Sequence, residues 1–245
     1  MKKNPAQPDA PLEKSRQVVD SMFTRIAARY DSMNRLMSLG RDFSWRRRAI
    51  QLAALPPGGR LLDVAVGTGA MALVALERAP SVRVTGIDFN DAMMQVGQIR
   101  EHEFNQRARG SIGWTGGDGL RLPYPEGTFD AVVSAFMMRN VTDVATALAE
   151  QRRVVRRGGR VVCLELTHPT LPLWREVYRL IFSKLMPLLT GLLSGQPGAY
   201  RYLPASVQNF VRADELRAMM EAVGLRGVGY QTMMLGTVAI HVGVK

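Results

Sequence analysis

The sequence has few of the residues that form disulfides or bind metal ions. Its 245 residues include one cysteine, Cys163, and three histidines. A single cysteine cannot form an intramolecular disulfide, and such sparing use is typical of a reducing, cytoplasmic compartment. The usual zinc sites depend on Cys and His ligands, which are too few here, so we expect no metal. A chain of this length buries enough surface to fold without such aids.

Long apolar stretches are also missing. The most apolar run, residues 185–193, is short and contains Pro187, so the sequence predicts no transmembrane helix. Residues 1–14 contain lysines but no apolar segment follows them, which argues against a secretory signal. Their proline and polar content predicts a disordered basic arm.

Acidic residues are outnumbered: 21 Asp and Glu face 32 Lys and Arg, which gives a net charge of +11. The excess is concentrated at the start of the chain, where residues 1–60 hold 12 basic and 5 acidic side chains. Such a charge distribution favours an anionic partner, either nucleic acid or an anionic membrane surface.

Apolar strands alternate with helices over most of the sequence, which is 47% hydrophobic and 22% charged, as in ordinary globular proteins. This alternation predicts an α/β fold with a mostly parallel, doubly wound sheet, in one domain over residues 15–245. The predicted strands are 61–66, 82–88, 111–115, 129–136 and 160–166, with two more between 226 and 244. The predicted helices are 71–79, one from about 92, and 143–155, followed by a turn at Gly158-Gly159. The segment 237–244 alternates as an edge or late-added strand would.

Two segments lie outside this alternation. Residues 15–57 form a helical N-terminal extension, with apolar residues at helix spacing before the Pro and Gly residues that end it. Residues 169–204 form a lid-like insertion with an apolar helical stripe that begins at Trp174. Such a stripe either packs against the sheet or covers a lipophilic substrate, and the glycines and prolines of this insertion suit a moving lid.

The first predicted strand runs into a glycine loop directly before a helix, with the sequence DVAVGTG over residues 63–69. Glycines let a ligand approach the backbone, and the start of a helix offers unpaired N–H groups. The spacing differs from the dinucleotide pattern G-x-G-x-x-G. It fits the acidic-x-x-x-G-x-G form found in S-adenosylmethionine (SAM) methyltransferases, so we predict SAM as the cofactor.

Two further carboxylates follow successive strands. Asp88 ends the second strand, 21 residues beyond Gly67, where a carboxylate can accept both ribose hydroxyls. Asp118 follows the third strand, where a group that binds the adenine amine is expected. Either residue alone could be a helix cap or a turn residue. Because the carboxyl ends of parallel strands meet at one edge, Asp63, Asp88 and Asp118 together predict a ligand site there.

Several segments resemble one family. From about Val19 to Lys245 the sequence is similar to the ubiquinone/menaquinone biosynthesis C-methyltransferases of the UbiE/MenG type. The matching segments are ARYDSMN (28–34), LDVA with GTG (62–69), TGIDFN (85–90), RNVTD (139–143), YRYLP (200–204) and AIHVG (239–243). The glycine loop is common to all such methyltransferases, whereas YDSMN, RNVTD and YRYL are particular to this family.

The sequence departs from the family pattern at two places. The family loop resembles Gly-Gly-Thr-Gly-Asp, whereas Val66 and Ala70 stand here at the first and last of these positions. The lost glycine narrows the approach to the SAM carboxylate, and the lost acid removes a group near its amine. Before Arg139 the family shows Phe-Gly-Leu, and here the segment 136–138 reads FMM. We expect both changes to affect affinity or substrate choice rather than the fold.

The resemblance implies methyl transfer from SAM to a ring carbon of a polyprenyl hydroquinone. The acceptor would be demethylmenaquinol, which residues 187–210 favour, or the benzoquinol precursor of ubiquinone. The implied cofactor-binding residues are Tyr30, Asp63, Gly67, Thr68, Gly69, Asp88, Phe89, Asp118 and Gly119. The implied substrate-binding residues are Tyr200 and Tyr202; these tyrosines could instead anchor the insertion, and Tyr30 could merely dock its helix.

Three residues are candidates for catalysis. On the resemblance, Arg139 would stabilise the developing oxyanion of the quinol, or hold a water that takes its proton, and Asn140 would bind cofactor or substrate. Arg139 could instead pair structurally with an acid such as Glu165. His168 follows a strand, with an ordinary pKa of about 6.5 that suits a base, although a lone histidine there is more often a surface or capping residue.

The substrate suggests where the enzyme works. Because a polyprenyl tail partitions into the bilayer, we expect the protein to make peripheral contact with the anionic inner face of the cell membrane. The expected contact regions are the insertion and the basic N-terminal region, which includes Arg46, Arg47 and Arg48. Those arginines could equally form a solvated helix face. A homodimer is compatible with the sequence.

Two rivals remain open. A nucleic-acid methyltransferase fits the basic charge, but the motif of base-amino methylation and interleaved stacking aromatics are missing, so we expect no specific nucleic acid. A non-catalytic quinone-binding or assembly protein would follow if Val66 and Ala70 had abolished SAM binding.

Overall fold

The computed structural model describes residues 15–105, 110–169, 202 and 205–245. The strands are β1 (Arg60–Val64), β2 (Arg83–Asp88), β3 (Ile112–Gly116), β4 (Phe129–Ala135), β5 (Val155–Leu166), β6 (Arg226–Met233) and β7 (Val238–Val244). The helices are α1 (Arg16–Ile26), α2 (Tyr30–Met37), α3 (Asp42–Ala53), α4 (Ala70–Arg78), α5 (Asp91–Asn105), α6 (Val144–Val154) and α7 (Ala213–Ala222). Short 3₁₀ turns occupy Ala27–Arg29, Met138–Asn140 and Met234–Gly236.

The strands form one seven-stranded sheet in the order β3-β2-β1-β4-β5-β7-β6. The first five strands are mutually parallel, and β7 lies antiparallel to both β5 and β6. The order reverses between β1 and β4, so a crevice opens at the carboxyl ends of these strands, where ligands bind in such sheets. The predicted doubly wound, mostly parallel α/β fold is confirmed.

Both faces of the sheet are covered, which explains why its strands are apolar throughout. Leu61 and Val133 point into the cluster that packs under α3 and α4. Leu62 and Val132 point to the opposite face, where α6 and α7 cover them. All four side chains have no exposed surface. The alternation along each strand therefore divides one apolar run between two cores.

Two sequence-based predictions need correction, at Gly158-Gly159 and at the last strand, whereas the N-terminal region is helical as expected. Gly158 and Gly159 do not separate helix from strand, because β5 continues through them and its register with β4 jumps from Phe129↔Val155 to Ala131↔Arg160, as in a bulge. The N-terminal helical region is three helices. The last strand, β7, is interior, because β6 folds back beyond it and takes the edge.

Two predicted segments fall largely outside the described residues. These are the arm at 1–14 and the insertion at 169–204, of which only Pro169 and Tyr202 are described. Among the helices of the described ranges, none combines the length and apolar character needed to cross a membrane.

Candidate active site

A cleft of about 850 Å³, which includes space open to solvent, lies over the carboxyl ends of β1, β2 and β4. The sheet contributes the loop after β1 and the segments after β2, β3 and β4, while α1, α2 and α3 close the cleft from above. The predicted residues that line it are Tyr30, Asp63, Gly67, Thr68, Asp88, Phe89, Asp118, Gly119 and Asn140. The structure therefore brings together nearly all of the predicted cofactor-binding residues.

The glycine loop turns sharply between β1 and α4. Ala65, Gly67 and Gly69 have φ angles of 58°, 52° and 74°, in the left-handed region that favours glycine. Gly69 does not line the cleft, but it caps α4, whose first-turn N–H groups have no partner within the helix. The turn therefore brings backbone donors to the cleft, as an anionic ligand group requires.

The substitution at Val66 leaves the loop intact. The left-handed residues of the loop do not include Val66, so this position needs no glycine. Its side chain is 5% exposed and packs over Gly86 on β2, where an added Cβ would lie 2.7 Å from Val66 Cγ2. The small residue at 86 thus makes room for the large one at 66.

Asp88 stabilises the glycine loop through hydrogen bonds to the backbone. One of its carboxylate oxygens accepts the N–H of Gly67 at 2.8 Å, and the other accepts the N–H of Asn90 at 2.9 Å. Burial raises the pKa of Asp88, while these backbone hydrogen bonds oppose the rise. Each oxygen retains a second lone pair, so the carboxylate can still accept ribose hydroxyls.

The sequence analysis missed a buried arginine in the cleft. Arg46 is 3% exposed and donates to Asp42 at 2.6 Å, yet its Nε has no hydrogen-bond partner in the described structure. The helical spacing in the sequence could have indicated this burial. One face of α3 carries four residues that are all buried, namely Arg46, Ala49, Ile50 and Ala53. The expected basic face therefore begins at Arg47, not at Arg46.

Asp63 faces the same space. It is 1% exposed, and its Oδ2 has no hydrogen-bond partner among the described residues. Burial raises the pKa of Asp63 to about 8, the charge of Arg46 lowers it, and the charge of Asp88 raises it. A buried carboxylate oxygen and a buried guanidinium nitrogen that both lack partners fit the ammonium and carboxylate of an amino-acid group.

Another part of the cleft presents an aromatic ring and a carboxylate. Phe89 lies there under the guanidinium of Arg16, 5.3 Å from its ring centroid. Asp118 lies 3.7 Å from the same arginine. Gly119 makes room for Met137, the first residue of the second family departure, because an added Cβ would lie 2.4 Å from Met137 Cε. Here too, a glycine accompanies an enlarged neighbour.

A hydrogen bond and an ion pair hold the N-terminal helices against the glycine loop. Asp31 accepts the hydroxyl of Thr68 at 2.9 Å and pairs with Arg100 at 2.7 Å. Arg100 also donates to the carbonyl of Thr68 at 2.9 Å. Asp31 therefore docks α2 on the loop, and the neighbouring Tyr30 lines the cleft with its hydroxyl pKa raised by burial.

Two further cavities adjoin the cleft. The middle cavity, about 430 Å³, shares Phe23, Tyr30 and Asn140 with it. The outer cavity, about 550 Å³, shares Asn34, Met37 and Arg139 with the middle one. The three spaces are therefore adjacent, since the outer cavity also shares Phe136 with the cleft.

Arg139 is ion-paired and buried, as one of its two sequence-based interpretations anticipated. Its guanidinium binds the carboxylate of Glu165, and both side chains are nearly inaccessible, at 6% and 1% exposure. Its Nε has no hydrogen-bond partner. Asn140 donates to the carbonyl of Phe136 at 2.9 Å, which leaves its buried Oδ1 without a donor at the junction of cleft and middle cavity. An oxygen acceptor and a cation therefore stand next to each other there.

The remaining candidates are less well placed. The ring Nε2 of His168 lies 2.9 Å from the carbonyl oxygen of Phe210, and His168 lines none of the three spaces. Tyr202 lines the middle cavity, and burial raises the pKa of its hydroxyl. Tyr200 lies outside the described residues.

The sheet order and the three strand-end carboxylates around one cleft define a SAM-dependent methyltransferase. Solved structures with the same fold include a SAM-dependent methyltransferase from Thermotoga maritima, with a TM-score of 0.63 and 18% identity over 92% of this chain and 99% of that one. A SAM-dependent methyltransferase from Aquifex aeolicus has a TM-score of 0.59 and 16% identity, over 87% of this chain and 96% of that one.

The chain belongs to the ubiE/COQ5 methyltransferase family, whose model matches residues 12–245. A demethylmenaquinone methyltransferase of Thermus thermophilus is 47% identical over 91% of this chain and 99% of the relative. A ubiquinone/menaquinone biosynthesis C-methyltransferase UbiE of Geobacter sulfurreducens is 40% identical over 95% of this chain and 90% of the relative. The family predicted from the sequence is thereby confirmed, and SAM with it.

Proposed function

We propose that this methyltransferase acts on a ring carbon of a polyprenyl hydroquinone, with demethylmenaquinol as its substrate. The observation that carries the proposal is that the cleft suited to SAM shares walls with two largely apolar cavities, with Asn140 and Phe136 among the shared residues. The names of the Thermus and Geobacter relatives support a quinone ring as acceptor.

The cofactor fits the cleft residue by residue. Asp88 would take the ribose hydroxyls, while Phe89 and Asp118 would hold the adenine. Asp63 and Arg46 would take the ammonium and the carboxylate of the methionyl group, because both carry buried atoms without partners. When bound there, SAM supplies an electrophilic methyl group.

The quinol ring would lie in the middle cavity, against Tyr30, Asn140 and Arg139. Asn140 Oδ1 accepts a hydrogen bond from the ring hydroxyl, and the positive charge of Arg139 stabilises the oxyanion that forms as this hydroxyl ionises. Ionisation, in which the proton would pass to water, raises the electron density at the adjacent ring carbon, so the reduced quinol reacts and the quinone does not. That carbon would bond to the methyl group as the bond from the methyl group to sulfur breaks and S-adenosylhomocysteine leaves, and loss of the ring proton to water would restore the aromatic ring. The pocket contributes further by holding that carbon in line at roughly 3–3.5 Å from the methyl group.

The benzoquinol precursor of ubiquinone is the alternative acceptor, since the Geobacter relative carries both quinones in its name. The enzymes named in the family and among the relatives count against the non-catalytic alternative, and the backbone at Val66, which needs no glycine, weakens one of the two departures on which it rests. His168 receives no role in this proposal.

We also propose that the enzyme works in peripheral contact with the anionic inner face of the cell membrane, where a prenylated quinol resides. The basic excess of residues 1–60 supports such contact. Homodimerisation stays a prediction from the sequence.

Methyl transfer from labelled SAM tests the acceptor directly. We expect label in a short-tailed menaquinol when demethylmenaquinol is kept reduced with dithionite, and none without the reductant. The benzoquinol analogue and RNA serve as parallel acceptors. Transfer to RNA alone, or no transfer to any acceptor, would refute the proposal.

A further inference from the structure

The outer cavity is not needed to hold SAM or the quinol ring. It is lined in part by Arg139 and shares Phe136 with the cofactor cleft, and six of its lining residues are apolar. These are Met37, Trp45, Phe136, Leu166, Met234 and Val238. Its volume of about 550 Å³ exceeds that of the middle cavity. An apolar space next to a polar reaction centre suits a ligand with a reactive head and an apolar tail.

Two turns flank this cavity, and each presents an exposed leucine. Leu39, between α2 and α3, is 78% exposed, and Leu235, between β6 and β7, is 57% exposed. Their chain neighbours Ser38 and Met234 line the cavity, so both leucines lie at its rim. Their φ angles are 53° and 55°, which L-residues with large side chains rarely adopt. A strained, exposed leucine does not stabilise the fold, which points to a function outside it.

The charge around this rim is positive. Arg35 and Arg41 lie four residues N-terminal and two residues C-terminal to Leu39, and both are exposed. Neither guanidinium group makes an ion pair or hydrogen bond with the described residues. Leu36 and Phe43, 47% and 38% exposed, add apolar surface on the same helical hairpin. Apolar side chains among unpaired cations are complementary to an anionic lipid surface.

We propose that the outer cavity carries the polyprenyl tail of the quinol, and that Leu39 and Leu235 insert into an anionic bilayer at its mouth. This inference rests on the proposed function for the identity of the tail, but not for the bilayer contact. The tail would then pass directly from lipid into the cavity, and the ring would stop at Arg139 and Asn140. The leucine pair therefore forms the entrance rather than a general membrane anchor.

Co-flotation of the full chain with vesicles tests the bilayer contact. With phosphatidylglycerol–phosphatidylcholine vesicles, we expect the double variant Leu39→Ser/Leu235→Ser to partition about tenfold less than the unmodified chain, since it loses two inserted leucines. Ile99→Ser is the matched control, because Ile99 is 62% exposed on α5 and lines none of the cavities. Undiminished partitioning of the double variant, or an equal loss for Ile99→Ser, would overturn the bilayer contact.

Substitution inside the cavity tests the tail site. Leu166→Trp fills the cavity from the end of β5, and we expect it to raise the KM for a prenylated quinol about tenfold more than the KM for a tail-less quinol. Trp45 lines the cavity and gives a direct readout of binding, because a bound prenylated quinone should quench its fluorescence. The variant Trp45→Phe shows how much of the total quenching comes from Trp45. An equal rise of both KM values, or quenching that Leu166→Trp leaves unchanged, would refute the tail site.

The two proposals fail in different ways. If no quinol is methylated while the leucine variant still loses vesicle binding and a prenylated quinone still quenches Trp45, the proposed reaction is wrong and the surface and cavity assignments stand. If quinols are methylated with the same dependence on tail length in Leu166→Trp as in the unmodified chain, the reaction stands and the tail site is wrong.

Discussion

The cofactor cleft and the two cavities beside it are built in different ways. The cleft is formed mainly by short loops at strand ends, so Asp63, Asp88 and Asp118 each lie within two residues of the end of a strand. The cavities are formed by side chains from α1, α2 and α3, from the ends of β4 and β5 and from the turn between β6 and β7. Binding chemistry common to many methyltransferases thus lies on the sheet, and the chemistry that selects the acceptor lies where distant segments meet.

Arg139 lines both of the cavities, and we expect its substitution to have the largest effect. In Arg139→Met, the carboxylate of Glu165 stays buried without its partner, so the free energy of unfolding should fall by about 3–5 kcal/mol. Urea denaturation measures this loss. Arg139→Met/Glu165→Gln should regain most of the stability but no activity, since the cation is still missing. A single variant as stable as the unmodified protein would contradict the ion pair.

Within the cleft, Val66→Gly tests whether the departure from the family loop impairs the site. The variant removes a buried side chain, so we expect a loss of about 1.5–3 kcal/mol in the free energy of unfolding. We expect no gain in SAM affinity by calorimetry, because residue 66 does not need a left-handed backbone. Tighter SAM binding in Val66→Gly/Ala70→Asp would show instead that the altered loop is a handicap.

Arg46→Met separates the two ends of the cofactor. If Arg46 binds the methionyl carboxylate, the variant should bind S-adenosylhomocysteine about ten- to a hundredfold more weakly, which corresponds to a hydrogen bond to a charged group of about 1.5–3 kcal/mol. Binding of 5′-methylthioadenosine, which lacks that carboxylate, should not change. Arg47→Met is the matched control, since Arg47 pairs with Glu77 outside the cleft. An equal loss for both ligands would assign Arg46 to the ion pair with Asp42 alone.

The smallest expected effect is a pH dependence of cofactor binding. The pKa of Asp63 is about 8 in the unliganded protein, so its carboxyl is mostly protonated at pH 6 and must ionise to pair with the ammonium. Affinity for S-adenosylhomocysteine should therefore rise from pH 6 towards pH 7.5, by up to about tenfold per pH unit. Calorimetry in buffers of different ionisation enthalpy should detect the released proton. Asp63→Asn should bind weakly with a flat profile, and a steep profile there would assign the proton elsewhere.

The same shift affects the fold with a defined sign. The folded pKa of Asp63, about 8, lies above its ordinary value of 3.8, so the folded state holds a proton that the unfolded chain releases between these values. The unliganded protein should lose stability as the pH rises from about 4 to 8. Thermal denaturation across this range measures the loss, and Asp63→Asn should remove it.

By itself, the sequence determined the sheet, the glycine loop and the acidic residues at successive strand ends. Apolar periodicity and strand–helix alternation are local signals. A residue at the end of a parallel strand also lies at the carboxyl edge of the sheet, because the strand itself puts it there. The break at Gly158-Gly159 was misjudged because a strand can pass through glycines as a bulge, which depends on its partner strand.

Only the tertiary structure decided which large side chains find room and which charges meet. Val66 depends on Gly86, Met137 on Gly119, and Arg139 on Glu165, and each pair is separated by between 18 and 26 positions in the sequence. Arg46 is buried beside Asp63, 17 positions away, and the rim formed by Leu39 and Leu235 joins segments that lie much further apart. These packing contacts and ion pairs join segments that meet only in the folded protein. The residue pattern along the chain therefore does not predict which partners meet.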